Sequence, residues 1–379
     1  MEEKEKIEQN ALQQTGEQSK AEEKQRINMR RSAKKVVTAI LATLTGFSAM
    51  TVASAVIAYD SFFERYERPD YAIYPGEYCF DRVKDRLSRE EFYIKTKGAD
   101  LKCYYYPVEK AKGLVVIVHG LHAGADEFIP FAEYFVNNGY NVFSYDGTGV
   151  YDSKGDSTVG MCQSLLDLDN VLNYIKKQDA YKDQPLYLMG HSQGGYAVTS
   201  VLSLHKEVKA VAAVAPMNNA YTVMVEKGEQ YVGKVAQASR PIFNVYQRIL
   251  FNDYVNYDGV KGINSVDIPV LIAQGVDDVD ITYDKLSITA YRDKITNPNV
   301  EYYITKGLLG EHLEILYSID AILYRKEVAS DLKLLAMNKG SKLTHAEKAE
   351  YINTVNHKLY SSVNEELMAK IIETFDKAK

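Results

Sequence analysis

The stretch that most constrains this chain is Pro185-Leu-Tyr-Leu-Met-Gly-His-Ser-Gln-Gly-Gly-Tyr196. Pro185 opens a short apolar run, Leu186 to Met189, that reads as a buried strand. Gly190-His191-Ser192-Gln193-Gly194 follows and fits G-x-S-x-G. An apolar, helix-favouring run then extends from Tyr196 to Leu204. Strand, tight turn and helix in that order force the central serine onto a strained backbone, with its hydroxyl standing clear of the sheet. Side chains two residues either side would collide in so sharp a turn, and Gly190 and Gly194 have none. Gly195 lets the helix lie close against the strand. A plain Gly/Ser loop could carry the same letters, so the flanking elements and the partners elsewhere in the chain must decide.

At 379 residues the chain can bury one large core and still carry appendages. Its net charge of −6 excludes a globally basic nucleic-acid binder. Cys79, Cys103 and Cys162 are far apart and odd in number, so they form neither a metal-spaced cluster nor a disulfide framework. They read as small, partly buried residues.

Residues 1–35 form a charged tail, with Glu2-Glu3-Lys4-Glu5-Lys6 and Glu22-Glu23-Lys24-Gln25-Arg26, too polar to build a core. Val36 to Tyr59 is uncharged throughout and long enough to span a bilayer as a helix. Arg30, Arg31, Lys34 and Lys35 crowd its N-terminal side, while Asp60, Glu64, Arg65, Glu67 and Arg68 beyond it are mixed in sign. The positive-inside bias therefore predicts a single-pass anchor at 36–59, a cytoplasmic tail, and everything after Tyr59 outside the cell membrane. A cleaved signal peptide is the first alternative, since Ala53-Ser-Ala55 resembles a cleavage site, although the charged region before it is long for one. A buried soluble helix is the second, given the run's Thr, Ser and Ala content. Residues 60–90 form a connector rich in Tyr, Asp and Arg that should pack on the domain.

The folded domain is expected over 91–379. Glu91 to Thr96 and Leu101 to Pro107 read as two strands joined by a hairpin at Lys97-Gly-Ala-Asp100. Leu114 to Val118 is aliphatic throughout, as a strand covered on both faces should be. Helix Asp126–Asn137, strand Asn141–Tyr145, helix Ser164–Lys177, the strand before Ser192 and helix Tyr196–His205 follow. Strands at Val208–Ala215, Pro269–Ala273 and Val300–Thr305 complete an eight-stranded, mostly parallel sheet with helices on both faces. Pro216 to about Asp267 lies between two core strands at the edge where open α/β sheets bind ligands, and reads as a helical lid after the sixth strand. A second helical insertion spans about 315–353, and Asn364–Phe375 has the spacing of a final helix that closes one sheet face.

A serine hydroxyl is a weak nucleophile until a base takes its proton and a carboxylate orients that base. In a fold of this kind the partners follow in the order Ser, Asp or Glu, His, each in a loop after a later strand. Gln274-Gly-Val-Asp-Asp-Val-Asp280 offers the acid, and Asp278 has the preferred spacing, with Asp277 and Asp280 as rivals. Lys306-Gly-Leu-Leu-Gly-Glu-His312 offers the base, His312, against His357 in Asn356-His-Lys-Leu359. His205 and His345 read as helix-end or surface histidines. An oxyanion needs two preorganised donors. The backbone N–H of Gln193 is one candidate, and that of Leu121, in His119-Gly-Leu-His-Ala-Gly124, is the other.

Taken together, His119-Gly120, Asp146-Gly-Thr-Gly149 with Ser153, the G-H-S-Q-G-G turn, Gly275-Val-Asp-Asp278 and Gly310-Glu-His312 resemble the α/β-hydrolase superfamily. The likeness is to its lysophospholipase, monoacylglycerol lipase and serine aminopeptidase-like branch, from about Glu91 to the C-terminus. Tyr145-Asp-Gly-Thr-Gly149, Gln163 to Asp169 and His312 to Ser318 resemble segments of membrane-anchored hydrolases of Gram-positive bacteria. The resemblance implies nucleophile Ser192, acid Asp278, base His312, oxyanion donors Leu121 and Gln193, and no cofactor or metal. Gln274-Gly275 departs from the His-Gly that many relatives carry there, and Val150-Tyr-Asp152 departs from their small polar residues. Neither departure is expected to touch the three residues directly.

The resulting expectation is a membrane-tethered serine hydrolase that cleaves a lipid or small acyl ester through an acyl-enzyme on Ser192. The alternatives are an amidase or peptidase of the same fold, and a catalytically inactive envelope binding protein. Protein partners are unassigned. Carbonate extraction of membranes carrying the full chain should leave it in the pellet; recovery in the supernatant would rule out the anchor.

Overall fold

The computed structural model describes residues 59–232 and 240–378, with isolated positions at 35, 53, 56 and 57. The expected tail and anchor at 1–59 lie, but for those positions and Tyr59, outside the described residues. Among the described residues no helix is long and apolar enough to cross a membrane.

Short apolar runs broken by Gly, Pro and Asn become strands, and the longer runs of helical period become the covering layers. In chain order these are β1 (Glu90–Lys95), β2 (Asp100–Tyr106), β3 (Leu114–Val118), α1 (Ile129–Asn137), β4 (Asn141–Tyr145) and α2 (Gln163–Ile175). Then come β5 (Leu186–His191), α3 (Gln193–Ser200), β6 (Val208–Val214), α4 (Ala220–Val232), α5 (Arg240–Phe251) and α6 (Gly259–Asn264). The chain closes with β7 (Val270–Gly275), β8 (Val300–Thr305), α7 (Ile319–Lys339), α8 (His345–Ile352), α9 (His357–Tyr360) and α10 (Glu365–Asp376). The eight strands form one sheet in the order β1-β2-β4-β3-β5-β6-β7-β8. β2 pairs antiparallel with both β1 and β4, and all other pairs are parallel.

β3 shows why the sheet must be covered twice. Leu114, Val116 and Val118 point into a core shared with α2 and α3, through Leu165, Leu168, Tyr196 and Ala197. Val115 and Ile117 point the other way, into a core shared with α1 and α10 through Phe131, Phe135, Leu367 and Phe375. Burial on both faces is what a continuous aliphatic strand requires.

Three expected elements differ in detail. The helix expected over 126–137 starts as a tight 3-10 turn, Ala125–Phe128, before α1. The helix expected over 196–205 begins directly after Ser192 and finishes as a 3-10 turn, Val201–Ser203. The last part of the segment between β6 and β7 is a covering helix. A Cβ on Gly262 of α6 would strike the carbonyl of Thr199, so α6 lies directly on α3. The 60–90 connector packs down, burying Phe63, Tyr78, Val83 and Leu87. Arg65 also donates from it to the carbonyls of Ser153 (3.0 Å) and Gly155 (2.9 Å). In the insertion at 315–353, α7 and α8 share a small core of Val328 and Ile352, joined by Val355.

Phe375 ties α10 to the sheet. It is fully buried, with its ring 4.9 Å from that of Tyr187 and 5.9 Å from that of Phe135. Phe375→Ala should lower the unfolding free energy by about 3–5 kcal/mol, read as a lower urea midpoint. A loss below about 1 kcal/mol would contradict this packing.

Candidate active site

Ser192 is the single residue between β5 and α3, with φ 56° and ψ −116°. A side chain in that region carries strain of about 1–3 kcal/mol, and the surroundings must hold it there. They do so through the sheet: the Ser192 N–H donates to Val214 O of β6 at 2.8 Å, and its carbonyl accepts from the Tyr196 N–H at 3.0 Å. A Cβ on Gly190 would collide with the carbonyl of Gly194, and one on Gly194 with the carbonyl of Val118. Gly195 packs against Pro216, where a Cβ would lie 3.0 Å from its Cα.

Ser192, His312 and Asp278 come together as one chain of hydrogen bonds. The Ser192 Oγ lies 2.9 Å from His312 Nε2, and His312 Nδ1 lies 2.7 Å from Asp278 Oδ2. An ionised carboxylate only accepts, so Nδ1 carries the hydrogen and Nε2 is left to accept from the serine hydroxyl. Asp278 is 3% exposed. Burial by itself would raise its pKa. The bonds from His312, the Ile281 N–H and the Gln274 amide outweigh burial and hold the carboxyl below the usual carboxylate range. Gln274 Nε2 donates to Asp278 Oδ2 at 2.9 Å, so this departure from the related pattern, expected to stay clear of the three residues, touches one of them. His191 Nε2 donates to the carbonyl of His312 at 3.0 Å. Burial first, and His312 second, push His191 down to about 3, so it stays neutral as a donor.

The rival residues are engaged elsewhere. Asp277 accepts from the Gly307 N–H at 2.8 Å, and Asp280 pairs with Lys227 at 2.6 Å. His357 Nδ1 accepts from the Gly76 N–H at 3.3 Å. His345 pairs with Asp70 at the surface. His205 is not a surface residue: it is 1% exposed, with Asp169 at 2.7 Å and Glu207 at 2.6 Å on its two ring nitrogens.

The two expected oxyanion donors flank the serine. His119 bridges their loop to the next strand's turn: Nδ1 donates to Gly120 O (2.8 Å), and Nε2 accepts from the Gly147 N–H (2.9 Å). A Cβ on Gly120 would lie 3.3 Å from Ser192 Cβ, so this loop passes right beside the serine. The Gln193 side chain donates to the carbonyls of Gly160 and Met161, fixing the start of α3. Among the described residues, the backbone N–H groups of Leu121 and Gln193 meet no protein acceptor.

A cavity of about 510 Å³ opens over Ser192. Phe128, Met161, Met217 and Ile281 supply apolar wall, and of the α4–α6 region only Val223 and Lys227 of α4 reach it among the described residues. Three contributions were not anticipated: Phe62, Tyr74 and Tyr78 from the connector, Glu127 from the turn before α1, and Arg325 from α7. The Tyr-rich composition of 60–90 was the one available hint. Among the described residues no group of three or more His, Cys, Asp or Glu side chains could hold a metal ion.

Parts of the chain and its fold are similar to known proteins. The family described as serine aminopeptidase, S33, matches residues 109–260. Protein phosphatase methylesterase 1 of Candida albicans is 22% identical over 126 residues, which is 33% of this chain and 34% of that protein. The chain thus spans about a third of the length of that curated relative. A solved esterase of Pyrococcus furiosus superposes with a TM-score of 0.50 at 18% identity, over 73% of this chain and 98% of its own. Sheet order, serine turn and the superposition on the Pyrococcus furiosus esterase define an α/β-hydrolase fold.

Gly194→Ala tests the close approach. Its Cβ meets backbone, which cannot swing away as a side chain can, so the variant should lose at least about 2 kcal/mol of stability in thermal melts. A variant that melts with the parent would show that α3 does not pass this close to β3.

Proposed function

We propose that this protein is a serine hydrolase that cleaves a carboxylic ester, from a lipid or a small acyl donor, through an acyl-enzyme on Ser192. The observation that carries the reading is the Ser192–His312–Asp278 hydrogen-bonded chain beside two unpartnered backbone donors. Ser192 Oγ attacks the ester carbonyl carbon while its proton passes to His312 Nε2. The carbonyl oxygen takes the negative charge and is met by the N–H groups of Leu121 and Gln193, each donor worth about 10²–10³ in rate. Asp278 keeps the imidazole oriented and stabilises its positive charge. Collapse breaks the bond to the leaving alcohol, which takes the proton from Nε2 and leaves the acyl group on Ser192. Water then attacks that acyl group, gives its proton to His312, and the acid is released as Ser192 recovers its hydrogen.

The aminopeptidase description of the matched family supports a second reading, amide cleavage. An aminopeptidase needs a carboxylate free to hold the substrate's ammonium group. The cavity acids Asp280 and Glu127 are taken by Lys227, and by the Tyr151 hydroxyl and Gly124 N–H respectively. The apolar walls favour an acyl chain. The reading includes an anchored enzyme, tethered through 36–59 with its domain outside the cell membrane.

A fluorophosphonate probe on the detergent-solubilised full chain should label the parent and not Ser192→Ala. His312→Ala should slow nitrophenyl-ester turnover by about 10³-fold or more. His357→Ala, away from the serine, should stay within about threefold. Labelling that survives Ser192→Ala, or none in the parent, would favour the inactive binding protein or another nucleophile.

A further inference from the structure

Arg325 differs from most inward-facing arginines of this domain in having no acid partner. Arg68 faces Asp126, Asp146 and Asp152; Arg86 faces Glu77 and Glu133; Arg89 faces Glu91 and Asp126. Arg82 spends its donors on backbone carbonyls, among them Tyr71 and Tyr74. Among the described residues no carboxylate lies within ion-pairing distance of Arg325. It is instead caged by tyrosines. Its guanidinium lies 3.5 Å from the ring centroid of Tyr317 and 4.6 Å from that of Tyr360. Nε donates to the Tyr360 carbonyl at 2.8 Å, and Nη2 donates to the Tyr78 hydroxyl. Stacking and two hydrogen bonds hold the planar fork in place, which lowers the entropy lost when it binds. Arg325, Tyr78 and Tyr317 all line the cavity that holds Ser192 and Leu121. Arg325 is half-buried, and a cation partly shielded from water with no counter-charge gains from a bound anion.

The Tyr78 and Tyr317 hydroxyls lie 3.3 Å apart and share one hydrogen bond, which leaves one O–H of the pair to donate. We propose that Arg325, with that one hydroxyl of the Tyr78–Tyr317 pair, receives an oxyanion of the substrate, so that the preferred ester carries a carboxylate or phosphate on its acyl or its alcohol side. This rests on the serine-hydrolase reading and deepens it. The guanidinium supplies paired N–H donors of the geometry that carboxylate and phosphate share. The other cation of the cavity, Lys227, is already neutralised by Asp280, so Arg325 is the cavity cation without an acid partner among the described residues, while the cavity's Glu127 is held by the Tyr151 hydroxyl and the Gly124 N–H. One end of the cavity then reads charge while Phe128, Met161 and Met217 accept carbon.

Two turnover arms separate the sources of the anion, with the full chain in detergent. On the acyl side, mono-4-nitrophenyl adipate is compared with 4-nitrophenyl hexanoate. On the alcohol side, a 1-acylglycerol 3-phosphate is compared with the matching 1-acylglycerol. The anionic member should be preferred in kcat/KM by about 10-fold or more on at least one arm, as a charge-assisted hydrogen bond allows. Arg325→Gln should reduce that anionic-to-neutral ratio by about 10- to 100-fold, mostly through KM, and Arg325→Lys should restore part of it. If Arg325→Gln fails to fold, Tyr78→Phe removes one hydroxyl and should lower the same ratio about threefold or more. A preference for the neutral ester on both arms, or a ratio unmoved by these variants, overturns the proposal. A binding arm does not need turnover: Ser192→Ala titrated with adipate and with glycerol 3-phosphate should bind one of them, and adding Arg325→Gln should weaken it about 10-fold or more. Binding without Ser192-dependent turnover would sink the hydrolase reading and keep the anion site; Ser192-dependent turnover without anion preference or binding would do the reverse.

Discussion

The rest of the site depends on one close approach, that of α3 to the end of β3. Gly194 sits where any side chain would strike the Val118 carbonyl, and Gly190 sits where one would strike Gly194 itself. With hydrogen alone at both places, α3 starts immediately after β5 and Ser192 is forced to φ 56°. The same contact sets the neighbouring strand end beside the serine, because Val118 pairs with Gly190 in the parallel ladder. The loop after β3 is thereby delivered next to the start of α3. That is why two N–H groups from distant parts of the chain, Leu121 and Gln193, can face one point above Ser192 without either being used by the protein.

Around that contact, burial and hydrogen bonding oppose each other, and named partners decide which prevails. Asp278 loses water and is compensated by His312, Gln274 and the N–H groups of Asp280 and Ile281, so it remains a carboxylate. His191 and His119 lose water and pair with no carboxylate, and burial, with His312 beside His191, outweighs what raises them, so they stay neutral, lowered to about 3 and about 4. Neutrality suits them as braces: His191 holds the His312 backbone, and His119 holds its loop to Gly147. Asp167 shows the third outcome. On α2, deep burial raises it to about 6, against bonds from Gln163 and from Thr148 in the turn after β4 that pull it down.

The strands at Leu114–Val118, Asn141–Tyr145 and Val300–Thr305 occupy the expected residues, since aliphatic runs closed by Gly, Asn and Pro have few other solutions. Helix ends were less legible. Whether a turn is 3-10 or α, as at Ala125–Phe128, depends on what it packs against. Spacing favoured Asp278 but left Asp277 and Asp280 as rivals, and each of the three has its own partner in the fold. The role of Gln274 was misjudged because a neutral amide next to the last residue of a strand carries no sign of the acid it supports. His205 was misjudged because helix-end position says nothing about what covers it.

The sequence by itself determined the sheet, the order of its covering helices and the local turns that carry Ser192, Asp278 and His312. Those features are written in patterns a few residues long: alternation, helical period, and glycine where no side chain fits. Only the tertiary structure decided the cavity. Tyr78 and Arg325 meet across 247 positions of chain, and no periodicity links them. A connector expected to pack on the domain and a helix read as an insertion meet on the same wall, the one through Phe62, Tyr74 and Tyr78 and the other through Arg325. What the site can recognise is therefore set by long-range packing, while the reacting atoms it holds are set by short-range geometry.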